Sequence, residues 1–205
     1  MHRFTIAVLG SALLLTAACS SSPESNQAGT SSGSPSPRSS LNLHAALLTP
    51  ADLPGWYMAA TQPTPGGENS DCPSLAGLTH DLGQPVLAEL DQGTKPFPPS
   101  VTEYLSSGSI DTAKATFARA KQQATSCQAG LPGASSSMTA VPITTKGDDS
   151  FAVGADMGVV QSTQVAVRVG GTIMLIIYGV PSSNGTTDMG TLQGVVDKAA
   201  QKLQQ

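Results

Sequence analysis

The stretch QVAVRVGGTIMLIIYGV, residues 164–180, decides the fold of this chain. Valines occupy every second position from Val165 to Val169, which is the pattern of a strand with one apolar face. Gly170-Gly171 is a two-residue signal for a hairpin turn. From Thr172 to Val180 the chain is nearly continuously apolar, as expected of a well-buried strand. The stretch therefore predicts an antiparallel hairpin whose second strand is buried.

Further strands are predicted upstream of this hairpin. Val101–Ser106 and Met138–Thr145 have the composition of strands, and another strand begins at Phe151. Trp56, the single tryptophan, is expected to anchor an edge strand.

Two amphipathic helices are also predicted, one from a cap at Asp111 through Cys127 and one from a cap at Asp188. In each helix, apolar residues recur at spacings of three and four. They are Ile110, Ala113, Phe117, Ala120, Ala124 and Cys127 in the first, and Met189, Leu192, Val196, Ala199 and Leu203 in the second. Strands joined by short turns, with helices packed mainly on one face, indicate a single α+β domain on an antiparallel β-sheet.

The first nineteen residues have the pattern of a secretory signal that ends at a cysteine. Arg3 precedes the uncharged, mainly apolar run Phe4–Ala18, and small residues lead to Cys19. The segment Leu15–Cys19 resembles the bacterial lipobox, whose cysteine receives a diacylglyceryl group. We therefore expect residues 1–18 to be a lipoprotein signal peptide, and lipid on Cys19 to anchor the protein at the extracytoplasmic face of the cell membrane. An uncleaved anchor or a short buried helix is the alternative.

Residues 19–40 are expected to form a lipidated cysteine and a flexible tether, because ten of the 21 residues after Cys19 are serine. Such a segment buries too little apolar surface to offset its ordering entropy. The globular domain is then residues 41–205, which is long enough for one core.

The charge of the chain argues against nucleic acid as a partner. Without residues 1–18, nine basic side chains face fourteen acidic ones, and the basic residues are scattered singly. Nucleic-acid binding requires clustered cations. The partners expected are the membrane, through the anchor, and a small ligand or an envelope protein.

Two cysteines remain in the domain, Cys72 and Cys127. Outside the cytoplasm an even pair is typical of one disulfide, which would stabilise the domain by about 4 kcal/mol in the chain-entropy model. A metal or redox pair is the alternative, but neither cysteine has a second one at metal-ligand spacing. No metal site and no cofactor are predicted.

Five segments form a further pattern: ALLTPADLPGW at 46–56, DCP around Cys72, AKATFARAKQQATSC at 113–127, QVAVRVGGTIMLIIYG at 164–179 and LQGVVDKAAQKL at 192–203. Together they resemble a group of actinobacterial envelope lipoproteins of the mycobacterial type. The soluble part of those lipoproteins is similar to the extracellular sensor domain of PknH-type serine/threonine kinases. The resemblance covers about residues 43–205 and implies a two-layered domain with an antiparallel sheet, helices, disulfides and a ligand cleft.

Three residues are candidates for contacting a ligand. Arg168 lies on the side of its strand opposite the valines, and its guanidinium would suit an anionic ligand if that side faces a cleft. If that side faces water, Arg168 is an ordinary solvated strand residue. Tyr104 and Tyr178 are expected at the border of the same cleft.

No catalytic residue is predicted. Residues 29–33 match G-x-S-x-G, but they lie in the tether, whereas an active serine of that motif requires a strand before it and a helix after it. Asp148 and Asp149 have the composition of a turn. We therefore expect a lipid-anchored envelope protein with a non-catalytic, sensor-like domain that binds a ligand or a partner. The alternatives are a lipid or glycolipid carrier and, less favoured, a hydrolase using His80.

Overall fold

The structure is a computed structural model that describes residues 41–62, 78, 81–93, 97–124, 128–131 and 134–205, with the backbone alone at 128–131 and 134–137. These residues belong to one compact unit, Arg38–Gln205. The predictions for Cys19, Cys72, Cys127, residues 1–40 and His80 lie outside the described residues. Within the described part of the chain, no helix is long and apolar enough to cross a membrane.

One seven-stranded sheet forms the centre of the domain. Its strands are β1 Trp56–Met58, β2 Val86–Gln92, β3 Ser100–Ser107, β6 Thr139–Ala140, β7 Asp149–Asp156, β8 Val160–Val169 and β9 Thr172–Pro181. They lie in the order β1-β2-β3-β9-β8-β7-β6, and all neighbouring strands run antiparallel. A separate hairpin pairs β4 Gln128–Leu131 with β5 Ala134–Ser137.

The described α-helices are α1 Leu43–Ala46, α2 Ile110–Gln123 and α3 Met189–Lys202, and a 3-10 turn spans Ser182–Asn184. With one antiparallel sheet and packed helices, the predicted α+β class is confirmed.

The hairpin of β8 and β9 is buried on both faces of the sheet. On one face Val165, Val167 and Ile176 belong to the apolar cluster that includes α1 and α3. On the other face Ala166 and Leu175 pack in the cluster that includes α2. Successive side chains of a strand point to opposite faces, so the continuous apolar run of β9 supplies both surfaces.

The helices therefore lie in two layers, with the sheet between them. The expected position on one face holds for α1 and α3, whereas α2 covers the opposite face. The reason is that the apolar run of β9 leaves a second hydrophobic face, which the apolar stripe of α2 buries.

Several predicted boundaries shift in the structure. The cap of α2 is Ser109, not Asp111: the Ser109 hydroxyl accepts a bond from the amide of Thr112. Ile110, the first residue of this helix, is exposed and does not belong to the buried stripe. Of the strand predicted from 138 to 145, only β6 forms.

Other local predictions are confirmed. Asp188 caps α3, with its Oδ1 accepting from the amide of Gly190 at 2.9 Å. Trp56 is buried in β1 at the edge of the sheet. Gly170 turns the β8–β9 hairpin with a φ of 59°, and a Cβ on Gly171 would lie 2.4 Å from the carbonyl oxygen of Gly108.

If β9 is packed on both faces, truncation on either face will be costly. We expect Leu175→Ala and Ile176→Ala each to lower the free energy of unfolding by about 2–5 kcal/mol, because each leaves a cavity in a different cluster. Tyr57→Ala, at a half-exposed position of edge strand β1, should cost less than about 1 kcal/mol. Urea denaturation measures the free energy of unfolding of all three variants. If Leu175→Ala or Ile176→Ala lost less than Tyr57→Ala, the residue in question would not be packed against its cluster.

Candidate functional site

An open cavity of about 320 Å³, with both polar and apolar lining, lies beside β7 and β8, toward the β6 edge of the sheet. Four of its lining residues carry hydroxyl groups: Thr139, Ser162, Thr163 and Thr187. Thr187, which directly precedes the cap of α3, contributes to the wall on that side. A hydroxyl both donates and accepts hydrogen bonds, and the lining therefore offers paired donor and acceptor groups to a ligand.

The cavity exists because β7 has no side chain at Gly154, which lies opposite Thr163. The next pair, Ala155 and Ser162, lies on the other face of the sheet, where Ala155 belongs to the cluster of α2. A Cβ on Gly154 would approach Val141 Cγ2 to 3.1 Å and the Thr163 hydroxyl to 3.9 Å. A larger side chain at this position would therefore reduce the space beside Thr163.

The charge of the lining limits which ligands fit. Gln161 adds an amide and Asp156 a carboxylate, and none of the described lining residues is basic. Asp156 Oδ1 accepts from the amide of Gly158 at 2.8 Å, which orders the turn between β7 and β8. Without a cation, the lining suits a neutral polar molecule better than an anion.

Tyr178, a predicted ligand contact, lies one strand away from this cavity. Its register partner in β8 is Thr163, so the two residues share a face of the sheet. The ring is buried, and it packs against Trp56 with centroids 6.3 Å apart. Burial raises the pKa of the Tyr178 phenol, and the negative charge of Asp188 raises it further by a smaller amount.

Tyr104 and Arg168 lie on the opposite face from Tyr178. Tyr104 packs, half-buried, against the cluster of α2, whereas Tyr178 belongs to the cluster of α1 and α3. Arg168 follows Ala166 by two positions in β8 and so shares the α2 face. The sheet separates the tyrosines, and the three predicted residues do not line one cleft.

The anion that Arg168 contacts in this structure is a side chain of the same domain. Its Nη1 donates to Asp148 Oδ2 at 2.9 Å and to the carbonyl oxygen of Gly170 at 3.2 Å. The same Asp148 oxygen accepts from the amide of Gly170 at 2.8 Å. Arg168 is largely buried, so it is not the solvated residue that one interpretation of the sequence expected. It joins the turn before β7 to the β8–β9 hairpin.

A residue that the sequence analysis missed is Glu103, which is fully buried in β3. Its Oε2 accepts from the amide of Leu48 at 2.6 Å. Its Oε1 has no hydrogen-bond partner in the part of the chain that the structure describes. Burial raises the pKa of this carboxyl to about 7. The sequence contained a signal for this burial. Glu103 alternates with Val101 and Leu105, which places it on the inward face of a strand.

Beside Glu103, Lys202 of α3 connects to the segment between α1 and β1. Its Nζ lies 2.6 Å from Asp52 Oδ2 and 2.5 Å from the carbonyl oxygen of Leu47. Burial alone would raise the pKa of Asp52, but the hydrogen bonds from Lys202 and Thr49 lower it below its usual value. This side-chain cluster fixes the position of the chain just before the first strand.

Among the described residues, no group of three or more His, Cys, Asp or Glu side chains could hold a metal ion. His44 lies exposed on α1. In comparisons with known proteins, no family model matches the chain, and no curated protein matches it significantly.

The chain offers a matched test of the role of Arg168, because Arg119 also pairs with an aspartate, Asp81, but at an exposed site. We expect Arg168→Ala to lower the free energy of unfolding by about 2 kcal/mol, since it removes a largely buried guanidinium together with its bonds to Asp148 and Gly170. Arg119→Ala should cost less than about 1 kcal/mol, as exposed ion pairs do. Chemical denaturation measures both variants, and equal losses would contradict a structural role for Arg168.

Proposed function

We propose that this chain is a lipid-anchored lipoprotein of the cell envelope whose domain binds a small neutral polar ligand without transforming it. The sequence supports the anchor, through the apolar run that ends at Cys19 and the serine-rich segment after it. The observation that supports a binding role is the cavity beside β7 and β8, whose lining includes several hydroxyl groups.

The size and lining of the cavity indicate the class of ligand. A volume of about 320 Å³ is at the lower end of the range for ligand sites, about 300–1,000 Å³. It suits a molecule of the size of one sugar ring. Hydroxyl groups from Thr163 and Thr187, 3.4 Å apart, together with the Gln161 amide, match a ligand that carries several hydroxyls of its own.

The contacts within the cavity support binding over catalysis. A hydroxyl becomes a nucleophile when a base within hydrogen-bond reach takes its proton. The described partner of the Thr163 hydroxyl is the Thr187 hydroxyl, which is not a base. The carboxylate in the lining, that of Asp156, contacts the amide of Gly158 in the adjacent turn.

The small size of the cavity and its hydroxyl groups also favour this function over carriage of lipid. A lipid carrier requires a sizeable apolar pocket between sheet and helices. The apolar residues between the sheet and α3, such as Val196 and Ile176, are fully buried and pack against each other in one cluster.

If Cys19 is the anchor, Cys19→Ala will abolish labelling of the protein by an alkyne fatty acid and move it from the membrane fraction to the soluble fraction. The reason is that each buried lipid methylene contributes about 0.8 kcal/mol to membrane binding. Ser20→Ala is the matched control and should remain labelled and membrane-bound. Unchanged labelling of the Cys19→Ala protein would contradict the proposed anchor.

Binding at the cavity can be tested by NMR titration with glucose, myo-inositol and glycerol. Titration with a short-chain phospholipid tests the alternative, that the protein carries lipid. We expect the sugar or the cyclitol to shift the amide signals of residues 154–163 and 187. Thr163→Val keeps the side-chain shape but removes a hydroxyl, and it should weaken binding about tenfold, as the loss of one hydrogen bond does. Thr102→Val in β3 is the matched control. Shifts caused by the phospholipid alone would contradict the proposed ligand class.

A further inference from the structure

The buried carboxyl of Glu103 lies in an apolar environment that suits its neutral form. Its register neighbours in β2 and β9 are Ala88 and Ile176. Along β3, the residues on either side of it on the same face are Val101 and Leu105, both fully buried. Within the described chain, the carboxyl receives one hydrogen bond and leaves Oε1 unbonded. An ionised carboxylate needs several donors to offset the loss of water, and here it has one.

The hydrogen bond that Glu103 accepts comes from a separate covering segment. We call residues 43–53, which comprise α1 and the chain after it, the cover segment. It contributes Leu47, Leu48 and Leu53 to the cluster that includes α3. Polar contacts attach it to the domain, among them the amide of Leu48 to Glu103, Lys202 to the Leu47 carbonyl oxygen and to Asp52, and Lys198 to Asp52.

The charges around Glu103 come from the cover segment and from α3. Burial outweighs the hydrogen bond from the Leu48 amide and the charge of Lys202, which both favour the ionised form of Glu103, whereas Asp52 opposes that form. Lys202 is itself bonded to Asp52, which partly neutralises its field at Glu103. The remaining titratable groups of these elements are Lys198, 3.9 Å from Asp52, Asp197, bonded to Gln193, and His44, exposed on α1.

We propose that Glu103 is a proton-dependent latch, which holds the cover segment on the sheet when its carboxyl is protonated and favours release of the segment when the carboxyl is ionised. This inference is independent of the cavity beside β7 and β8, since it concerns a different end of the same sheet face.

The direction of the pH dependence follows from the two environments of the carboxyl. In the docked state burial raises the pKa of Glu103 from its ordinary 4.5 to about 7. When the segment opens, water reaches the carboxyl and the pKa returns toward 4.5. Docking therefore takes up a proton, and it weakens as the pH rises from about 4.5 to about 7.

Release of the cover segment would change two properties of the domain. It would expose apolar side chains of β2 and β3, including Leu90 and Val101, which the segment helps to bury. It would also free residues 43–53, which would no longer be held at the sheet. The pH around the domain would thus set how firmly this segment is held.

Hydrogen exchange of the full-length protein, followed by mass spectrometry at pH 5.0 and pH 7.5 and corrected for intrinsic rates, tests this proposal. We expect the opening equilibrium of peptides covering residues 43–53 to rise by about tenfold or more between the two pH values. Peptides from β8 and β9 should change far less. Glu103→Gln keeps an acceptor for the Leu48 amide and cannot ionise, so its opening should be nearly independent of pH.

Glu89→Gln is the matched control. Glu89 lies on the neighbouring strand β2, between Ala88 and Leu90 and so on the opposite face, and its removal should leave the pH dependence of the cover segment intact. The proposal is overturned if opening of residues 43–53 in the wild type is the same at both pH values, or if Glu103→Gln retains the wild-type dependence. If Glu103→Gln does not fold, a carbon-13 titration of the wild-type carboxyl decides, because titration of Glu103 near 4.5 would exclude the latch.

Discussion

Burial of β9 on both of its faces is the constraint on which the rest of the structure depends. The strand lies between β3 and β8, and its alternate residues supply the two apolar clusters. Each face needs a covering layer, so α2 packs on one and α1 with α3 on the other. Where the apolar sequence ends, toward β7 and the start of β8, the facing residues become small or hydroxyl-bearing. The cavity opens there because Gly154 leaves space beside Thr163 that no side chain fills.

The local signals in the sequence predicted the elements that depend on neighbouring residues alone. The hairpin at residues 164–180 formed because its glycines allow the turn and its apolar strands pair side by side. Asp188 could be identified as a helix cap because it directly precedes the apolar pattern of α3. By contrast, β2 was not predicted, although Ala88 and Leu90 alternate with Glu89 and Asp91 as in a half-buried strand. Its strand conformation depends on pairing with β3 and on burial of Ala88 and Leu90, which are tertiary effects.

Prediction of the site required the strand register, which the sequence does not contain. Tyr104 lies opposite Leu175, whereas Tyr178 lies three residues further along β9, and an odd separation puts the two rings on opposite faces. The side of β8 that carries Arg168 was correct, but its partner Asp148 comes from a turn twenty residues earlier. Glu103 could have been found, because a carboxylate alternating with Val101 and Leu105 breaks the apolar pattern of an inward strand face.

We propose that the sheet, which is closed by apolar packing at its centre, opens at one end into a binding site that carries hydroxyl groups. A crystal structure of the protein grown with the sugar or cyclitol that binds in solution tests this claim most directly. It should show the ligand beside β7 and β8, with its hydroxyls within hydrogen-bond distance of Thr163 and Thr187 and both helix layers in place. A ligand seated between the sheet and α2 or α3, in a space where the apolar clusters have separated, would contradict it.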